Sequence, residues 1–125
     1  MRHIVALFGE SEKGQFKKAY VLHELPQLID LLGNPPGESE GLFFAIQALL
    51  YNREIIFFRV QEEGFSRSDY MLGFKHLETM PRINALCLPG VGDAEILEAS
   101  RRLCEIQKSH IISTQKDLFD YLTSV

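Results

Sequence analysis

The sequence predicts an α/β domain, a three-layer sandwich in which helices flank a mostly parallel sheet of four or five strands. Four short apolar runs, starting at Ile4, Ile55, Ile83 and His110, are each bounded by glycine, proline or charged residues. The stretches between them space their apolar residues by three and four positions, the helical period. The length of 125 residues fits a single domain over 1–125, enough to bury about two thirds of the surface of the unfolded chain. Crossovers between parallel strands are expected to be right-handed.

Ile4-Val5-Ala6-Leu7-Phe8 ends at Gly9 and reads as a fully buried strand. Residues 10–19 are polar, contain Gly14 and read as a loop. Leu22, Leu25, Leu28, Ile29 and Leu32 then keep helical spacing, with Pro26 in the first turn and Gly33 at the C-terminal end. Asn34-Pro35-Pro36-Gly37, followed by Glu38-Ser39-Glu40, breaks the chain. Gly41 to Tyr51 is apolar nearly all round, the pattern of a helix covered on most sides. Ile55 to Val60 is β-branched and aromatic, an interior strand.

A charged loop follows from Gln61 to Arg67. Ser66 or Ser68 then caps a helix that turns Tyr70, Met71, Phe74 and Leu77 inward. Ile83 to Leu88 is a third strand, closed by Pro89-Gly90-Val91-Gly92. Asp93 is placed to cap the next helix, with Ile96, Ala99, Leu103 and Ile106 on its core side. His110 to Ser113 is a short fourth strand. Thr114, with Asp117 three positions on, opens a last helix bearing Leu118, Phe119, Tyr121 and Leu122.

Charge and composition narrow the function. Seventeen acidic against 13 basic side chains leave a net charge of −4, which excludes nonspecific nucleic-acid binding through a Lys/Arg excess. The one basic–aromatic cluster, Lys13, Lys17 and Lys18 with Phe16 and Tyr20, is diluted by Glu10 and Glu12. No apolar run has the length of a membrane span, and the first residues lack the pattern of a secretory leader, so no membrane partner is expected and the location is cytoplasmic. Two cysteines make no disulfide framework.

Each motif that touches on chemistry is incomplete. Gly9 and Gly14 follow a strand at phosphate-loop spacing, but Gln15 and Phe16 stand where Lys and Ser or Thr are needed, and Glu10 and Glu12 repel phosphate. Gly90-Val91-Gly92-Asp93 joins a strand to a helix, where anions are often held, yet Asp93 fills the free N–H groups itself and Glu95 replaces the third glycine of a dinucleotide fingerprint. Cys87 and Cys104 read as buried apolar side chains, and His3, His23, His76 and His110 show no metal-ligand spacing. Asp69 with Glu62, Glu63 and Glu78 offers paired carboxylates for acid–base work, or a solvated surface. There is no Gly-x-Ser-x-Gly. No cofactor or metal is expected.

The order of features resembles a known family. A strand leads to Lys13-Gly14, and a short helix closes with Leu31-Leu32-Gly33. Ser39 precedes an apolar helix ending Ala48-Leu49-Leu50-Tyr51-Asn52, and a strand ends Phe58-Arg59-Val60. A helix holds Gly73 and Leu77, and Ile83 to Val91 leads through Asp93 into a helix with Cys104-Glu105. This is similar to the α/β core of contractile tail-sheath proteins of phage tails and related injection machines. The resemblance implies a non-enzymatic structural role, with subunits stacked into a helical tube. Sheath subunits also mesh through long terminal arms. The elements here run from Ile4 through the last helix, so a core without arms is expected.

Two functions follow. The first is a protein-interaction or assembly domain, binding a protein partner or a second copy of itself. The alternative is a Rossmann-like domain that binds a small molecule or nucleotide, possibly as an enzyme. Its site would lie at the C-terminal ends of the strands, on Gly9, Glu10, Gln61, Gly90, Gly92 and Asp93.

Overall fold

Ile4–Gly9 (β1) pairs on both of its edges, and its residues 5–9 are buried, so the first apolar run of the chain is the middle of the sheet. The computed structural model describes residues 3–34, 37, 39–80 and 82–124. β1 is followed by Ala19–Leu22 (β2), Leu25–Leu32 (α1), Gly41–Leu50 (α2), Glu54–Arg59 (β3) and Arg67–Glu78 (α3). Ala85–Cys87 (β4), Ala94–Gln107 (α4), His110–Ile112 (β5) and Gln115–Thr123 (α5) complete the order. The five strands form one mixed sheet in the order β2-β3-β1-β4-β5. β3, β1, β4 and β5 are mutually parallel, and β2 runs antiparallel along β3 at the edge.

Alternation along the strands divides the core in two. Val5 and Leu7 of β1, Ile55 and Phe57 of β3, and Ala85 and Cys87 of β4 join a cluster with α1, α2 and α5. Ala6 and Phe8, Ile56 and Phe58, and Leu86 join a second cluster with α3 and α4. Phe8 anchors the second cluster. It stacks on Phe58 at 4.9 Å and Tyr70 at 5.1 Å and meets Phe74 edge-on at 5.2 Å.

Three expectations are corrected. Residues 10–19 are not loop throughout: Phe16 bridges Arg59, and the chain enters β2 at Ala19. Leu22 belongs to that strand, and the helix starts at Leu25. There Gln27 Oε1 accepts the Glu24 N–H at 3.0 Å, and Gly33 N–H closes the last turn on Ile29 O at 3.0 Å. The spacing of Leu22 matched the helical period by coincidence, while the burial of Tyr20 and Leu22 about an exposed Val21 is that of a strand.

On α4 the buried side is Ile96, Ser100, Leu103 and Cys104, and Ile106 is 67% exposed. The core stripe leads instead to half-buried Gln107, whose Nε2 donates to Leu77 O (3.0 Å) and Met80 O (3.1 Å) while Oε1 accepts Ile83 N–H (3.1 Å). A polar residue thus fastens α4 to the end of α3. On α5, Leu118 and Leu122 are buried and Phe119 is 46% exposed. Pro35, Pro36 and Glu38 of the breaker segment lie outside the described residues. Among the described residues no helix is long and apolar enough to cross a membrane.

Candidate functional site

The chain leaves β1 toward β3 on one side and returns to β4 on the other, so the order of the parallel strands reverses at β1. In open α/β sheets, ligands bind outside the C-terminal ends of the strands at such a point. Here a cavity of about 480 Å³ lies there, lined by Glu10, Ser39, Glu40, Glu62, Glu63, Phe65 and Gly90.

Next to residues that line it, Glu10 and Glu40, backbone approaches backbone closely. A Cβ on Gly9 would sit 2.7 Å from Gly41 Cα, and a Cβ on Gly41 would sit 2.6 Å from Gly9 Cα. Only glycine at both positions lets the N-terminus of α2 rest on the end of β1.

That N-terminus presents free N–H groups and the positive end of the helix dipole. The Glu63 side chain, from the loop after β3, occupies it. Glu63 Oε1 accepts Ser39 Oγ–H (2.8 Å), Gly41 N–H (3.0 Å) and Glu10 N–H (3.2 Å), and Oε2 accepts Glu40 N–H (2.8 Å). In return Glu10 Oε2 accepts the Glu63 N–H at 2.9 Å. The two loops are therefore locked by reciprocal carboxylate–amide bonds. The place a phosphate or carboxylate ligand takes at a helix N-terminus is filled by the protein's own carboxylate.

The same loop is held from beneath. Gly64 N–H donates to the buried Tyr70 hydroxyl at 2.7 Å, and burial raises the Tyr70 pKa far above its ordinary value. Gly64 also lies against the Gly90 carbonyl, where an added Cβ would come within 2.4 Å of the oxygen.

Of the residues singled out in the sequence, Glu10 and Gly90 line the cavity, while Gly9 is not among its lining residues and lies against Gly41 and the Glu63 carboxylate. Gln61, Gly92 and Asp93 are not among its lining residues. Gln61 is exposed and donates its N–H to Asp69 Oδ2 at 2.9 Å. Asp93 caps α4: its Oδ1 accepts the N–H groups of Glu95 (2.9 Å) and Ile96 (3.0 Å), and its Oδ2 pairs with Arg67 Nη2 at 2.6 Å. The bond from Arg67, followed by the helix amides, holds the Asp93 carboxyl below its ordinary pKa.

The four carboxylates considered together in the sequence do not converge. Asp69 faces the Gln61 amide, Glu63 caps α2, Glu62 lines the cavity and Glu78 ends α3. Spacing gave no reason to prefer Glu63 over Glu62. What marks it is the N-terminus of α2 at Gly41, which has no capping side chain of its own. Burial pushes the Cys87 thiol far up, and that of Cys104 up to about 11, the reverse of an activated nucleophile. Among the described residues no group of three or more His, Cys, Asp or Glu side chains is placed to hold a metal ion.

No protein family, curated protein or solved structure matches this chain.

Proposed function

We propose that the chain is a non-enzymatic protein-interaction and assembly domain, of the kind its resemblance to a tail-sheath core implies, and that it meets a second copy of itself through the outer face of α2. The observation that carries this is α2 itself. Gly-Leu-Phe-Phe-Ala-Ile-Gln-Ala-Leu-Leu has no charged residue on any side. Its inner side is buried against the sheet, yet Phe43 stays partly exposed and Leu50 is 63% exposed. Tyr51 and Phe119 of α5 extend the patch, their rings 6.5 Å apart. Large side chains grouped on one face of a protein mark an interaction surface more often than scattered ones do. A face without charge meets its own copy about a two-fold axis with no like-charge cost.

The three-layer reading of the fold belongs with this proposal. It rests on the two apolar clusters, one shared with α1, α2 and α5 and the other with α3 and α4. A cytoplasmic setting fits two free, buried thiols. The small-molecule reading at the strand ends is the weaker one, because Glu63 fills the anion position and three further carboxylates, Glu10, Glu40 and Glu62, surround it.

Sedimentation equilibrium tests the proposal. Self-association is expected in the range of about 10–500 μM, and Leu50→Glu with Phe119→Glu should abolish it while leaving the far-ultraviolet circular dichroism unchanged. A wild-type chain that stays monomeric throughout that range overturns the self-assembly reading.

A further inference from the structure

We infer that a second cavity, between α3 and the end of β3, is a binding site for a small organic anion with a flat aromatic body. The cavity measures about 330 Å³, the lower end of the range for small-molecule sites. It lies on the opposite side of the sheet from α2, in the α3 and α4 cluster, and does not depend on the assembly reading.

Its floor is apolar, formed by Phe58, Leu72 and Gly73. Gly73 sits in the middle of a helix, where glycine is disfavoured for its backbone entropy. It is required because a Cβ there would come within 2.3 Å of Phe8 Cε2. With no side chain in the way, the Phe8–Phe58 stack lies directly against α3. Phe58 also meets the His76 ring edge-on at 5.7 Å.

The rim is cationic and comes from three separate parts of the chain: Lys17, Arg59 and Lys75. Arg59 is held in place: its Nη1 donates to Gly14 O at 2.7 Å, and its guanidinium lies 4.4 Å from the centre of the Phe16 ring. A guanidinium has five donors, and this bond uses one of them. Lys17 adopts a left-handed backbone, φ 62°, unusual for a residue with a side chain. The rim holds one carboxylate, Asp69, and that group already accepts the Gln61 N–H.

Three cations against one engaged carboxylate, in a chain of net charge −4, concentrate positive charge at one place. Aromatic floor and cationic rim together select a ligand carrying both features, an aryl carboxylate or aryl phosphate. A free inorganic anion satisfies only the rim, and a neutral aromatic only the floor.

Phenyl phosphate is the probe, followed by amide chemical shifts of the ¹⁵N-labelled full chain, with inorganic phosphate and phenol as its two halves. Phenyl phosphate is expected to shift the amides of Arg59, Leu72, Gly73 and Lys75, and to bind at least about tenfold more tightly than either half. Lys17→Glu with Lys75→Glu, at two exposed positions, should weaken it at least about tenfold with the melting temperature unchanged. Leu72→Ser should weaken phenyl phosphate but not inorganic phosphate. Equal binding of the three probes, shifts confined to another part of the sheet, undiminished binding by the double variant, or no shift up to about 20 mM would each overturn the assignment.

Discussion

Glu63 is the residue on which the strand-end loops depend. Its carboxylate accepts from three backbone N–H groups and one hydroxyl. Glu63→Ala leaves those donors without their acceptor, and charged hydrogen bonds of this kind are worth about 2 kcal/mol at a half-buried site. Urea unfolding should show a loss of about that size. Formate, which restores a carboxylate in the vacated place, should raise the melting temperature of the variant more than that of the wild type. Equal effects on both proteins would show that Glu63 does not act as a built-in anion.

Asp93 gives a second test at this scale. Its pKa is held below the ordinary 3.8 by the Arg67 guanidinium and the α4 amides. Folding therefore favours the carboxylate. The contribution is complete above 3.8 and is lost as pH falls through the lower folded value. Asn caps a helix about as well as Asp but neither pairs with Arg67 nor titrates. The wild type should melt above Asp93→Asn at neutral pH, and the gap should close as the solution is taken below about pH 4. Because Arg67 is half exposed, added salt should narrow the gap as well. A gap that is constant with pH would remove the ion pair as its cause.

At the scale of elements, α3 is positioned by the absence of a side chain. Phe8 is enclosed by Phe58, Tyr70 and Phe74, so it cannot yield to a new Cβ at Gly73. Gly73→Ala would raise helix propensity in isolation but should destabilise this fold by about 1–3 kcal/mol through overpacking. Thermal or chemical unfolding measures it, and a stabilised variant would contradict the packing described.

Helices and strands were legible in the sequence to different degrees. Asp93 and Thr114 cap as their residue types predict, because capping is settled within four residues: Thr114 Oγ1 accepts the Asp117 N–H at 3.1 Å. The apolar runs at Ile4 and Ile55 became β1 and β3. β2 was not legible. Four residues ahead of a helix carry too little pattern, and what makes them a strand is the edge of β3, about 35 residues later. Ile106 failed for a related reason. A three-residue step from Leu103 cannot say which way the buried stripe of α4 drifts, and Gln107 takes the inner place only because Leu77, Met80 and Ile83 offer it partners.

For the whole molecule, α2 and α3 pack into different apolar clusters, and each carries a different surface. Charge-free α2 leaves Phe43 and Leu50 uncovered, and α3 and β3 frame a cavity with a basic rim. Self-association through the first and anion binding at the second are therefore expected to be independent. Leu50→Glu should leave phenyl phosphate binding unchanged, and Lys17→Glu with Lys75→Glu should leave the sedimentation behaviour unchanged. Coupling between the two would require a change of sheet or helix packing that neither substitution makes directly.

The sequence by itself determined the α/β class, a buried first strand, the α4 cap and the apolar character of α2, since each rests on periodicity or on contacts within a few residues. Tertiary structure alone decided which carboxylate caps α2, that β2 is an antiparallel edge, and that Lys17, Arg59 and Lys75 share one rim. Those residues are separated by 16 to 58 positions, and no local pattern records which of them the order of strands will bring together.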